Sequence, residues 1–272
     1  MNDTVKLLDN IDYQKDKLLK DMIEDDFYYN NMNVKKVLSY SSAKWLLKSP
    51  KYFLEQFDKP MKETQALRDG KLIHTYLLEP LKYKNLTFID TSSKATKVWK
   101  EAVAKFGAEN TYTTKEKYIN RRVTKSFIAN NICRSYINES ETEVPGIITV
   151  DNIPFRGKAD LLGEDYVADV KTTNDGVAEL NLGNGTTKNQ FEYAVSKYDY
   201  DMQAYLYTIM FNKPRFIWLV IDKVTLDVGV FEASKELLER GKAKLDQAIE
   251  LYGTFFVDKL IDLDQYHITK TI

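Results

Sequence analysis

The chain has 272 residues, 43% hydrophobic and 12% aromatic, enough to bury the core of one large folded domain. Its formal net charge of −1 excludes a global basic field as the means of attracting nucleic acid, so any phosphate-binding surface must be local or made by assembly. A single cysteine, Cys133, excludes an internal disulfide and a cysteine-built zinc site and fits a reducing, cytoplasmic setting; no apolar run approaches a membrane span, so no membrane partner is expected.

Residues 1 to about 33 are charged and lack an apolar period, which predicts a peripheral helix followed by a flexible stretch. Ser41 or Ser42 is placed to N-cap a helix over about 43–47, and Ser49-Pro50 interrupts and restarts it, because proline suits the first helical turn. A second helix covers about 64–79 and stops at Glu79-Pro80; Leu67, Gly70, His74, Leu77 and Leu78 share one of its faces. Residues 91–140 are rich in Lys and Arg and mostly helical, with Thr113-Thr114-Lys115-Glu116 as a capping box. Strands follow at about 145–150, 153–162 and 166–172, the first two joined by an Asp151-Asn152 turn. Residues 174–189 read as a long polar loop, a kind that is often functional. A helix is expected at about 200–212, with Tyr198 or Asp199 near its cap, then strands at 216–222 and 227–231. Ser234 caps a long amphipathic helix to about residue 260. This order predicts one α/β domain: a central mixed β-sheet flanked by helices, with a mainly helical part over 34–140 and a sheet core over 141–272.

The densest chemistry lies at Gly157-Lys158-Ala159-Asp160 and, nine residues after that aspartate, at Asp169-Val170-Lys171. Phe155, Gly157, Ala159 and Leu161 alternate with Arg156, Lys158 and Asp160, and Tyr166, Ala168 and Val170 alternate with Val167, Asp169 and Lys171; both patterns are strands. If Glu164-Asp165 is a two-residue hairpin loop, Asp160 falls opposite Asp169, and Lys171 shares a face with Asp169. Facing carboxylates are costly unless a cation lies between them or one stays protonated. Hard oxygen ligands suggest Mg²⁺ or Mn²⁺. A solvated hairpin face is the competing account. His74 is either a satisfied core histidine or a group reaching into a site. Gly70, one turn earlier, favours the latter, because a mid-helix glycine costs about 1 kcal/mol relative to alanine and admits a close neighbour. Gln203 and Tyr207, four residues apart on one helix face, suit contact with the lysine, a metal-bound water or a DNA phosphate, or else form a plain interfacial edge. Arg121, Arg122, Lys125, Arg134, Lys188 and Lys197 are candidate phosphate contacts, set against the rule that charged faces are usually only solvated.

Taken together, these segments resemble the PD-(D/E)XK nuclease superfamily, and within it the phage and prophage exonuclease VIII-like branch related in fold to phage lambda exonuclease. The resemblance runs from about Ser39 to Tyr207. It rests on Leu38-Ser39-Tyr40-Ser41 with Ser49-Pro50 and Tyr52, and on Thr64-Gln65-Ala66-Leu67 followed by Gly70, His74, Leu78, Glu79 and Pro80. It continues through Glu143, Gly157-Lys158-Ala159-Asp160, Asp169-Val170-Lys171-Thr172-Thr173, and Tyr198 through Gln203 to Tyr207. It implies a restriction-endonuclease-like core in which Asp160 binds or bridges metal and Asp169 is a second ligand, with the Val170 carbonyl also coordinating. Lys171 would position the attacking water or stabilise its deprotonated form. His74 would assist metal binding, and Gln203 with Tyr207 would form the helix motif behind the site. Two positions depart from the pattern: Ala159 stands where the superfamily's name has proline, and Asp169 where many members have glutamate. The implied reaction is metal-dependent hydrolysis of linear double-stranded DNA from its ends, 5′-to-3′, by a ring-like homo-oligomer partnered by a single-strand annealing recombinase. The implied setting is the cytoplasm of a bacterial or prophage-bearing cell. Enclosure by a ring would also answer the charge balance. The alternatives are the same site in a sequence-targeted endonuclease, and a DNA-binding or assembly protein that no longer hydrolyses. No target-reading module is evident for the first, and the intact Asp160, Asp169 and Lys171 set weighs against the second.

Overall fold

The structure is a computed structural model that describes residues 15–32, 35–59, 63–181 and 187–267. Helix α1 (Lys15–Asp21) and a π-helical turn (Phe27–Asn31) precede a short strand β1 (Leu38–Ser39). This region is anchored, contrary to expectation: Met22, Tyr28, Met32 and Val37 are buried together with Ile147, although the polar residues between them hide the period. Residues 1–14, part of the stretch expected to be flexible, lie outside the described residues. Next come α2 (Tyr40–Lys48) and α3 (Pro50–Asp58). The cap of α2 is Ser39, not Ser41 or Ser42; its hydroxyl accepts from the Ser42 amide while the Ser42 hydroxyl accepts from the Ser39 amide. Ser49 caps α3 with Pro50 in its first turn, as the sequence predicts.

Helix α4 (Gln65–Leu78) follows, then α5 (Pro80–Lys84), β2 (Thr87–Ile89), α6 (Lys97–Phe106) and β3 (Thr111–Thr113). The β2–β3 parallel pair interrupts the region expected to be helical. On α4, Leu77 and Leu78 are buried but Leu67 is 52% exposed, so the apolar stripe is carried instead by Leu72, Ile73 and Leu77. Helix α7 (Thr114–Ala129) opens on the expected capping box, Thr113 with Glu116, and α8 (Asn131–Asn138) leads into the sheet.

The central strands are β4 (Glu141–Val150), β5 (Ile153–Leu162) and β6 (Tyr166–Thr173). Asp151 and Asn152 both have positive φ, the conformation of a tight two-residue hairpin turn. Part of the expected polar loop is an antiparallel pair, β7 (Glu179–Asn181) with β8 (Thr187–Asn189). Then come α9 (Gln190–Tyr198), a helix additional to those expected, α10 (Tyr200–Phe211), β9 (Arg215–Asp222), β10 (Val228–Glu232) and α11 (Lys235–Tyr252). Helix α11 ends before residue 260, passing into a π-helical turn at Gly253–Val257.

In the sheet, β4 lies antiparallel along one edge of β5. The other edge of β5 is divided: its first half pairs with β1 at Phe155 and Arg156, and its last two residues pair with β6. Strand β6 then pairs in parallel with β9, and β9 antiparallel with β10, which makes the sheet mixed as expected. Helices from both halves of the chain cover its two faces. One core joins Leu46, Phe53, Met202, Leu206 and Leu245 to Phe155, Ala159, Val167, Phe216 and Trp218. The other joins Ile73, Leu77, Val123, Phe127 and Cys133 to Leu161, Ala168, Val170, Ile217 and Leu219. Among the described residues, no helix is long and apolar enough to cross a membrane.

Candidate functional site

The hairpin register is the one the sequence predicts. Leu161 pairs with Ala168 and Leu162 with Val167, and the Gly163 amide donates to the Tyr166 carbonyl at 3.0 Å, closing the turn on Glu164-Asp165. The ladder stops there. Ala159 contacts the first core and Leu161 the second, so β5 changes faces at Asp160. On the neighbouring strand β4, Glu143 lies between the pairs Thr142–Leu161 and Val144–Ala159 and has φ of 53°, an uncommon conformation for a non-glycine residue. Beyond this point β5 and β6 no longer share ladder bonds. The Asp160 side chain takes the place of a ladder acceptor, its Oδ2 receiving the Val170 amide at 2.8 Å. The junction where the sheet opens is where the chemistry collects.

His74 reaches this junction from α4, with Nδ1 3.4 Å from Asp160 Oδ2. His74, Glu143 and Asp160 each offer a ligand atom within 4.8 Å of the others, and they form the one such group among the described residues. An imidazole nitrogen and two carboxylates form a donor set for a divalent cation. The electrostatics agree. Burial raises the Asp160 carboxyl above its usual range, His74 opposes the shift and Asp169 adds to it. Burial also raises Glu143, followed by repulsion from Asp160 and Glu79. Two acids crowded in this way resist ionising together without a cation between them. Sequence reasoning assigned Glu143 no role. The signal was present: the Asp151-Asn152 turn sets a register that lays Glu143 across from Asp160, but a strand begun at residue 145 leaves it outside.

Asp169 and Lys171 lie on the adjoining strand and form a tight ion pair, Lys171 Nζ to Asp169 Oδ2 at 2.6 Å. The other oxygen, Asp169 Oδ1, accepts from Gln203 Nε2 at 2.7 Å, and Gln203 Oε1 is left buried without a partner among the described residues. Lys171 Nζ also sits 4.7 Å from the Tyr200 ring centre. Burial would lower the Lys171 ammonium's pKa, but the charge of Asp169, the Tyr200 phenol and Asp160 outweighs it and raises it above its ordinary value. Lys171 is therefore held as a cation. Tyr207, one turn beyond Gln203, stands elsewhere: its hydroxyl accepts from the Lys158 amide at 3.4 Å, and its ring packs on Gly157. A Cβ at Gly157 would come within 3.0 Å of that ring and 2.9 Å of Met210 Sδ, so glycine is needed for α10 to lie this close to β5.

No backbone makes a close approach at Gly70. An added Cβ there would lie 3.7 Å from Thr172 Oγ1, an ordinary contact, so packing does not demand glycine. Of the candidate phosphate contacts, Arg122 is engaged with the Lys223 carbonyl at 3.0 Å, and Arg134 with Asn131 Oδ1 at 2.6 Å. Arg121, Lys125 and Lys197 are exposed, the last near the Tyr198 ring. The Lys188 side chain lies outside the described residues.

A family profile described as a PDDEXK-like domain of unknown function (DUF3799) matches residues 39–256, most of the chain. No curated protein matches it by sequence. Among solved structures, a candidate exonuclease from Eubacterium rectale superposes with a TM-score of 0.63 at 13% identity, covering 92% of this chain and 95% of that one. At that identity the likeness is one of fold. A phage-related exonuclease from Haemophilus somnus 129PT aligns over 68% of this chain and 92% of its own at 12% identity, but its TM-score of 0.31 adds nothing to the comparison. The family profile and the superposition agree on one fold.

Proposed function

The chain belongs to the PDDEXK-like family, and from that membership and the geometry of the site we propose that it is a metal-dependent deoxyribonuclease acting on the ends of linear double-stranded DNA. The observation that carries this reading is the junction at Asp160, where His74 and Glu143 converge on one carboxylate while Asp169 and Lys171 stand on the next strand. Asp160, His74 and Glu143 would hold the cation, with Asp169 and the Val170 carbonyl on β6 as further candidate ligands. Carboxylate and carbonyl oxygen donors favour Mg²⁺ or Mn²⁺. When bound, the cation supplies a water of lowered pKa and offsets charge on the phosphate under attack.

The chain's own residues do the rest. Lys171, ion-paired with Asp169, orients the attacking water and stabilises negative charge as it develops. Gln203 restrains Asp169, leaving its Oδ2 to face the lysine. Tyr207 supports β5 behind Lys158 rather than touching substrate.

The finer reading is an exonuclease that digests 5′-to-3′ as a closed ring of identical subunits and passes single strand to an annealing recombinase. It is supported by the motif resemblance and by the charge of −1. So little positive charge gives weak long-range hold on DNA, and enclosure would supply the hold instead. The test is gel analysis of end-labelled linear and covalently closed duplex with Mg²⁺, Mn²⁺ or chelator. Metal-dependent loss of the linear form alone is expected. Rapid cutting of the closed circle would favour an endonuclease, and no cutting of either would favour an inactive binding protein.

A further inference from the structure

The segment after α1 crosses β4 and β5 beside the metal-capable group, with Met22, Tyr28 and Met32 packed against Ile147. From it Asp25 presents both carboxylate oxygens to lysines of two other elements. Asp25 Oδ1 lies 2.9 Å from Lys158 Nζ on β5, and Oδ2 is ion-paired with Lys82 Nζ on α5. The Lys158 side chain is only 8% exposed, and its ammonium also donates to the Ile23 carbonyl at 3.3 Å. Lys158 precedes Asp160 by two residues. Lys82 also pairs with Glu79, which follows the α4 residue Leu78 whose carbonyl accepts from Thr142, next to Glu143. Two cations from separate elements thus converge beside a group rich in carboxylates. A carboxylate gripped by two ammonium groups presents them with what two non-bridging phosphate oxygens would present. A phosphodiester approaching Glu143 and Asp160 needs cations there, and these two are already placed.

We propose that Lys82 and Lys158 form a subsite for a DNA backbone phosphate flanking the metal cluster, and that Asp25 occupies it in the DNA-free protein as an internal stand-in that DNA displaces. This rests on the nuclease reading above. It adds a cost to DNA binding, the release of Asp25, that substitution can remove.

The test is fluorescence anisotropy of a labelled linear duplex with the full chain in chelator, so that nothing is hydrolysed, with thermal unfolding of each variant alongside. Asp25→Asn is expected to bind duplex about 3- to 10-fold tighter than the unaltered chain. Lys82→Ala is expected to bind about 3- to 10-fold weaker, with a log–log salt slope shallower by about one. Lys158→Met should weaken binding similarly if it folds; Lys82, which is more exposed, carries the test if it does not. Duplex binding by the unaltered chain with no gain, or a loss, in Asp25→Asn would overturn the subsite, leave Asp25 as an anchor of its segment, and leave the nuclease reading standing. No duplex binding by the unaltered chain would overturn both.

Discussion

Gln203 Nε2 donates to Asp169 Oδ1 at 2.7 Å, so helix α10, and not β6 alone, decides where the second acid points. With one oxygen taken by Gln203 and the other facing Lys171, the carboxylate has little freedom to turn.

Gln203→Leu should therefore lower metal-dependent cleavage by about 10- to 100-fold, the range seen when a residue orienting a ligand is removed. Duplex affinity should change little. Single-turnover cleavage and binding, measured on the same preparation, check this; an unchanged rate would remove α10 from the site.

Lys171→Met should reduce cleavage by about 100-fold or more while leaving duplex affinity within a few-fold, because its role is confined to the water and to charge that develops during reaction. It also leaves Asp169 buried with Gln203 as its hydrogen-bond partner, so the melting temperature should fall. Lys171→Arg separates the two effects: it restores stability more than rate.

Crowding at Glu143 and Asp160 gives a sign that is simple to measure. In chelator, Glu143→Gln and Asp160→Asn should melt at or above the unaltered chain, because each removes one of two repelling acids. With Mn²⁺ the order should reverse. The unaltered chain gains stability from a ligand bound only when folded, about 2.7 kcal/mol at a hundredfold excess over Kd, and the variants gain less. His74→Ala should lose part of the same gain. Calorimetric titration of Mn²⁺ gives the affinities directly, and equal metal-induced shifts in all four proteins would dissolve the proposed ligand set.

Away from the site, Arg68 and Glu116 form a buried pair between α4 and α7 at 2.8 Å. Burial alone would raise the Glu116 carboxyl, but hydrogen bonds from Lys94, the Thr113 amide, Gln65 and Arg68 hold it down to about 2. A carboxyl depressed in the folded state stabilises the fold above its unfolded value, near 4.5, and that contribution fades as pH falls toward 2. Glu116→Ala should cost about 2–4 kcal/mol at neutral pH, because it removes the buried carboxylate paired with Arg68 and leaves that guanidinium with Glu63, two carbonyls and the faces of Tyr112 and Trp99. The cost should shrink between pH 4.5 and 2, as followed by urea unfolding at each pH.

Gly70→Ala should stabilise the chain by about 0.5–1 kcal/mol, since the helix gains and the space exists. If that face of α4 must also admit DNA, cleavage will fall while stability rises.

Much of the site was legible in the chain, for local reasons. A two-residue turn and a period of two are short-range properties, and they sufficed to set the β5–β6 register and to place Lys171 beside Asp169. The Ser49-Pro50 restart and the Thr113–Glu116 capping box were legible on the same basis. The anchoring of residues 22–32 was not. Met22, Tyr28 and Met32 are separated by polar residues that hide the period, and their burial is completed by Ile147, more than a hundred residues later in the chain.

What the sequence by itself determined is the set of hairpins, caps and alternations that make two acids and a lysine neighbours. What only the tertiary structure decided is the opening of the sheet at Asp160, where β5 serves β1 with its first half and β6 with its last two residues. That division follows from the distant segment that brings β1 to the first half of the edge β6 shares, and no local pattern encodes it. The same long-range packing brings in His74 from α4, Gln203 from α10 and Asp25 from the N-terminal segment. The physical reason is common to all three. Each side chain is placed by the burial of an apolar face on its own element against the sheet, so its position in the site is a consequence of the whole core.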